Sequence, residues 1–160
     1  MRLKTFPGGV HPHDNKRCSA SAPIEEMPLP QRVVIPMSQH IGAPSVPIVK
    51  VGDEVKAGQK IADAGGFVSI PQHASISGKV TKIDTFPHPS GASALAIEIT
   101  GDGTDNWIEC ADDPNFLDLS ADEMKKRIGD AGICGMGGAG FPTLVKLSPP
   151  ADKPIDTVIL

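Results

Sequence analysis

No stretch of these 160 residues approaches the roughly 18 consecutive apolar positions that read as a membrane-spanning helix. The chain opens Met1-Arg2-Leu3-Lys4 and reaches Pro7-Gly8-Gly9 with no apolar core between, so no secretory leader is expected. Basic charge is also in short supply. Fifteen Lys and Arg stand against nineteen Asp and Glu, a net charge of −4, and the cations are scattered, which leaves no field to hold nucleic acid or an anionic lipid surface. The short cluster Lys125-Lys126-Arg127 falls on a predicted helix and reads as its solvated face. Cysteine is scarce too: Cys18, Cys110 and Cys134 are far apart and in no C-x-x-C arrangement. That pattern argues against a disulfide framework and against a cysteine-ligated iron–sulfur cluster within the chain, which needs four ligands at tight spacing. The expectation is a cytoplasmic chain that meets a membrane only through partners.

What the chain has in quantity is proline, sixteen residues, and glycine, seventeen. With little helical periodicity, they predict short strands and turns. Residues 1–35 read as an extended strap, since Pro7, Pro12, Pro23, Pro28 and Pro30 block helix throughout. His11 and His13 flank Pro12; with no third ligand nearby they are read as solvated or bonded to backbone, not as a metal site. His73 and His88 lie beside prolines in turn-rich stretches and are given structural roles, and His40 is placed at a strand edge.

Residues 36–100 carry a clearer pattern. Val51-Gly52-Asp53-Glu54-Val55 and Gly58-Gln59, followed by Ser77-Gly78-Lys79-Val80, set apolar residues around turn glycines. The spacing V-G-D-x-V-x-x-G-Q then S-G-x-V resembles a barrel-sandwich hybrid of the lipoyl or biotinyl type. A faint repeat points the same way: Ile35-Pro36, Ile41 and Ile48 recur as Ile70-Pro71, Ile76 and Ile83. A carrier domain of that type needs a lysine on its exposed hairpin, and the corresponding stretch here, Ala64-Gly65-Gly66-Phe67-Val68, has none. The barrel is therefore read as a docking or spacer module, and Asp53 and Glu54 as its surface carboxylates. Residues 101–119 form an acidic linker in which Trp107 is expected to anchor against a neighbouring surface. Ser120-Ala121-Asp122-Glu123 is a capping box that opens a helix with a Met124, Ile128, Ala131 stripe, and Gly132 ends it. Residues 120–160 read as the start of an α/β nucleotide-binding domain. Its first buried strand, Asp156 to Leu160, has no partner, which suggests a piece of a larger domain. The fold class is thus mainly β with an α/β portion.

The most restrictive motif follows that helix directly: Gly135-Met136-Gly137-Gly138-Ala139-Gly140-Phe141-Pro142-Thr143, with Lys146 three residues on. Adjacent glycines remove Cβ atoms from a loop, so its backbone N–H groups can approach an anion, and a lysine adds a compact positive charge. A helix, not a strand, precedes the loop, which argues against the Rossmann fingerprint. The string resembles the flavin-binding loop of the NADH-oxidising flavoprotein subunit of respiratory complex I. The opening Phe6-Pro7-Gly8-Gly9-Val10-His11-Pro12 with Lys16 resembles the C subunit of the Rnf electron-transport complex. Cobalamin-reductase flavoproteins of bacterial microcompartments share the glycine loop, and the opening string favours Rnf.

The Rnf resemblance implies FMN on the loop, hydride exchange with NAD(H), 4Fe-4S clusters bound downstream of this chain, and partner subunits in a complex that couples electron flow to ion transport. The expected place is the cytoplasmic face of the inner membrane. Carried over by position, Gly135, Gly137, Gly138, Ala139 and Gly140 line the flavin, Phe141 and Thr143 fix the loop's exit, and Lys146 faces the phosphate or the ring edge. Cys134 and Met136 depart from the complex I pattern, where arginine or another polar residue is favoured. No nucleophile or acid–base pair stands out elsewhere. The fragment by itself is expected to be inactive and to bind flavin weakly or not at all.

Overall fold

A computed structural model describes residues 8–9, 12–110, 112–153 and 155–157. Among the described residues, seven strands form two antiparallel sheets. The larger has the order β1-β7-β6-β3 and the smaller β2-β4-β5. Their ranges are β1 Arg32–Pro36, β2 Val46–Pro47, β3 Glu54–Val55, β4 Lys60–Asp63, β5 Gln72–His73, β6 Gly78–Pro87 and β7 Ser93–Gly101. Two helices follow, α1 Ala121–Asp130 and α2 Thr143–Lys146. The sandwich of short strands matches the barrel-sandwich expectation.

Between the sheets lies one apolar core. Met37, Ile61, Val80, Ile97 and Ile99 are at most 1% exposed, and Val55, Ala62 and Ala74 close around them. Burying apolar side chains of this size contributes about 1.5–3 kcal/mol each before the entropy cost of ordering them. β6 and β7 pair from Gly78↔Gly101 to Pro87↔Ser93, with a register shift between Val80 and Lys82. That bulge lets Val80 and Ile83 face inward on either side of an exposed Thr81-Lys82 pair.

The turn glycines do what their spacing implies. Gly52 (φ 101°) and Gly58 (φ 79°) hold positive φ, and the Gly52 N–H donates to the Val80 carbonyl at 2.8 Å. Asp53 is a turn residue as well as a surface carboxylate: it accepts from the Lys50 N–H at 2.8 Å. Gly78 holds φ 153° at a point where a Cβ would collide with the Thr100 carbonyl oxygen.

Two expectations need correction. His40 is not at a strand edge but buried at 9% exposure. Its Nδ1 donates to the Ile41 carbonyl at 2.9 Å, while Nε2 accepts from the Ile70 N–H at 3.3 Å. The repeat is not a repeat of environments: Ile35 and Ile70 are both buried, but Ile41 is 42% exposed where Ile76 is 6%. The Lys125-Lys126-Arg127 cluster lies on the solvated face of α1, as the sequence implies, and makes surface ion pairs there. Its members pair with Asp122 at 3.4 Å, Asp130 at 2.8 Å and Asp113 at 2.7 Å.

The strap and linker segments also touch the barrel. β1 starts at Arg32, and the Ala57 N–H donates to the Asn106 carbonyl while Ile108 N–H donates to that of Ala57. Trp107 bridges there, 55% exposed, with its indole N–H on Asp105 at 2.6 Å. Of the expected terminal strand Asp156 to Leu160, Asp156 and Thr157 show no strand and the rest lies outside the described residues, as do Phe6, Pro7, Val10 and His11 of the opening Phe6 to Pro12 string.

Candidate functional site: the glycine loop and its cleft

α1 delivers the chain to the glycine loop through two local devices. At its start, Ser120 Oγ accepts from the Glu123 N–H at 3.3 Å, and Glu123 accepts from the Ser120 N–H at 2.9 Å. At its end, Gly132 N–H donates to Gly129 and Ile133 N–H to Ile128, with Gly132 at φ 67°. This is a Schellman closure that turns the chain sharply. The turn is packed against the barrel, since a Cβ at Gly132 would stand 2.7 Å from the Pro71 carbonyl oxygen.

The loop itself is pinched at its base. Cys134 and Pro142 form an antiparallel bridge, Gly135 N–H donates to Phe141 at 2.8 Å, and Thr143 N–H donates to Ile133 at 3.0 Å. Phe141 and Thr143 therefore hold the loop's exit through their backbones, and Pro142 is buried beneath it. Above the pinch, Met136 is 98% exposed. A Cβ at Gly137 or Gly138 would meet nothing within 4 Å, and Gly138 has φ 105°. Lys146, on α2, brings its ammonium to the base of the loop, 3.6 Å from where a Gly135 Cβ would sit. Gly140 differs from its neighbours: at φ 58° its absent Cβ would lie 3.1 Å from the Gln39 carbonyl oxygen and the His40 Cα. Its bareness lets the loop dock on the barrel.

A cleft of about 870 Å³ opens between Gly138-Ala139-Gly140 and the barrel, whose Ser38–Ile41 segment and Pro87–Ser90 turn form the other walls. A second cleft of about 610 Å³ lies over β3 and the start of β6, lined by Glu54, Lys56, Lys79 and Asp102. It mixes both signs of charge and has no glycine-loop residue, so it is not the better candidate. Beside the loop, His73 sits under the end of α1; burial pushes its imidazole below the ordinary histidine value, partly opposed by its bond to the Asp130 backbone.

The structure thus brings all eight predicted residues into one loop and its adjoining helix. At Gly137 and Gly138 an added Cβ would meet nothing within 4 Å, so this bare part of the loop leaves its backbone open to the approach of an anion. Sequence reasoning missed the barrel's share of the cleft. Nothing local to Gln39, His40 or Pro87–Ser90 signals that they face residues some 50 to 100 positions on. Among the described residues, no three His, Cys, Asp or Glu gather as for a metal ion, and no helix is long and apolar enough to cross a membrane.

Fold and loop together define a barrel-sandwich hybrid joined to a helix and a glycine-rich loop. The family model described as the RnfC barrel sandwich hybrid domain matches residues 4–104, and the chain belongs to that family. It is 52% identical over 99% of its length to the C subunit of the proton-translocating ferredoxin:NAD(+) oxidoreductase complex of Clostridium ljungdahlii, and 48% identical over 98% to the Na(+)-translocating counterpart of Acetobacterium woodii. The C subunit of the ion-translocating oxidoreductase complex of Pseudomonas aeruginosa is 46% identical over 99% of this chain. The chain spans 35% of the length of the first two relatives and 21% of the third.

Proposed function

We propose that this chain supplies the barrel and glycine-loop portion of the C subunit of an ion-translocating ferredoxin:NAD(+) oxidoreductase complex, and that the loop holds FMN. The observation that supports this most directly is the loop's asymmetry: open to space at Gly137-Gly138, docked at Gly140, with the Lys146 ammonium at its base. When bound, FMN supplies the exchange between two-electron NAD(H) chemistry and one-electron iron–sulfur carriers. The chain's own contribution is position. Backbone N–H groups of the open segment donate to the phosphate, Lys146 offsets its charge, and the Cys134–Pro142 pinch fixes the loop's exit. Partner subunits, 4Fe-4S centres in the remainder of the subunit, and a place on the cytoplasmic face of the inner membrane complete the reading. By themselves these 160 residues, 35% of the length of the first two relatives, bind flavin weakly and are inactive.

The test is flavin retention by the whole subunit. Gly137→Val places its side chain in open space, so the fold is expected to survive while bound FMN is lost. A folded variant that keeps a full complement of flavin overturns the reading. A second reading, an unmodified docking barrel, draws on the β4–β5 loop, where no lysine is available and Phe67 stands 81% exposed; it gains if the whole wild-type subunit proves colourless.

A further inference from the structure

The cleft between loop and barrel has an uneven chemical character. Its barrel side offers apolar faces from Pro36, Ile41, Pro87 and Pro89, and among the described residues lining it there is no Asp, Glu, Lys or Arg. Its loop side offers bare backbone. Among the described residues only two titratable side chains reach it, His40 and His88, and both are already engaged. His88 Nε2 lies 2.8 Å from the Ser38 carbonyl oxygen, to which it donates, and Nδ1 accepts from Ser90, 2.8 Å from its hydroxyl and 3.2 Å from its N–H. The imidazole is therefore a tie. It fastens the turn at the end of the β6–β7 hairpin to the segment that follows β1, and so holds two walls of the cleft at fixed separation. That turn is itself closed, with Gly91 N–H donating to the His88 carbonyl at 2.9 Å and Pro89 at its second position.

A site with apolar, preformed walls on one side and backbone donors on the other suits a ligand that is flat and apolar at one end and anionic at the other. A volume of about 870 Å³ falls within the range of about 300–1,000 Å³ usual for small-molecule sites. We propose that the barrel is the second wall of the flavin site: the ring system of the FMN held on the glycine loop lies in this cleft, against Ile41 and Pro89, with His88 as a positioning residue. This rests on the glycine-loop reading above and adds to it. The barrel changes from spacer to ligand-binding surface, and the docking of Gly140 on Gln39 and His40 becomes the contact that brings the two walls together.

The experiment titrates FMN into the whole subunit stripped of flavin, and reads affinity by flavin fluorescence and ring environment by visible circular dichroism. Pro89→Trp and Ile41→Trp each fill the cleft from an exposed barrel position without touching the loop. Each is expected to weaken FMN about tenfold or more and to change the visible dichroism of what remains bound, with thermal melting unchanged. His88→Gln is expected to alter the dichroism at saturating FMN, which a purely structural histidine leaves alone. If Gly137→Val abolishes binding while both tryptophan variants bind FMN as wild type does, the barrel wall is wrong and the loop reading stands. If wild type takes up no FMN, both fall. Should the tryptophans raise the KM for NADH and leave FMN affinity and dichroism intact, the ring in the cleft is not the flavin's, and the proposal is overturned. The two tryptophan variants sit on different segments, so a folding failure in one leaves the other to decide.

Discussion

A methyl group at Gly140 would meet the Gln39 carbonyl oxygen and the His40 Cα at 3.1 Å, on backbone already at φ 58°. The same group at Gly137 would meet nothing within 4 Å. The two glycines are bare for different physical reasons, and stability measurements separate them. Gly140→Ala is expected to cost about 1–2 kcal/mol from the left-handed backbone alone, and more from the barrel contact. For a chain of this size that is a fall of several degrees in Tm, at about 2–4 °C per kcal/mol. Gly137→Ala should stay within about 0.5 kcal/mol of wild type, as exposed positions do. Equal losses at both positions would mean that Gly140 does not dock the loop. Only part of this was legible in the sequence. The glycine string announces a loop bare of side chains because its reason is local. The distinction between Gly137 and Gly140 depends on a barrel segment a hundred residues away, which no spacing rule reaches.

Among the elements, α1 shows how far local rules extend. Its capping box and its Gly132 stop are both interactions within three to five residues, and both appear in the structure as the sequence implies. Ser120→Ala removes the acceptor for the Glu123 N–H and is expected to cost about 1 kcal/mol. Urea denaturation should show a lower midpoint at unchanged slope, since the exposed surface is the same. An unchanged midpoint would mean that the cap adds nothing to this helix. Gly129 shows where local rules stop. A Cβ there would stand 2.7 Å from Leu144 Cδ2, so its bareness is set by α2 packing across the glycine loop. The strands divide in the same way. The turns at Gly52 and Gly58 were readable from their flanking apolar residues. The burial of His40 was not, because its partners Ile41 and Ile70 come from segments thirty residues apart. The repeat failed at Ile41 and Ile76 for a related reason: identity at one offset says nothing of how deeply the rest of the chain buries each copy.

At the scale of the molecule, the question is what couples the barrel to the loop, and the contact under α1 offers a handle on it. His73, on β5, bonds to the Asp130 backbone, and Lys60, paired with Asp63 at 2.7 Å, adds a positive charge nearby. Burial, and secondarily the Lys60 charge, depress the His73 imidazole below the ordinary value of 6.5, while the backbone bond opposes them. The folded state therefore binds a proton at this site less readily than the unfolded chain. Above the ordinary value neither state carries it and the contact is at full strength. As pH falls through that value and then through the lower folded one, the unfolded chain takes up the proton first and stability is lost. The carboxylates around α1 work in the same direction but lower on the scale. Asp130, held down by its bond to Lys126, and Asp113, held down by Arg127, lose their contribution only when pH drops below the usual carboxylate range. Between about pH 8 and about pH 5, the difference between wild type and His73→Gln then isolates this one imidazole. The wild-type Tm is expected to drop over that interval by more than the variant's, with the gap opening near the ordinary histidine value. Parallel curves would show that His73 does not link α1 to the barrel. If the gap opens and FMN affinity of the whole subunit falls with it at the same pH, the docking of α1 on the barrel is what holds the two walls of the cleft in register.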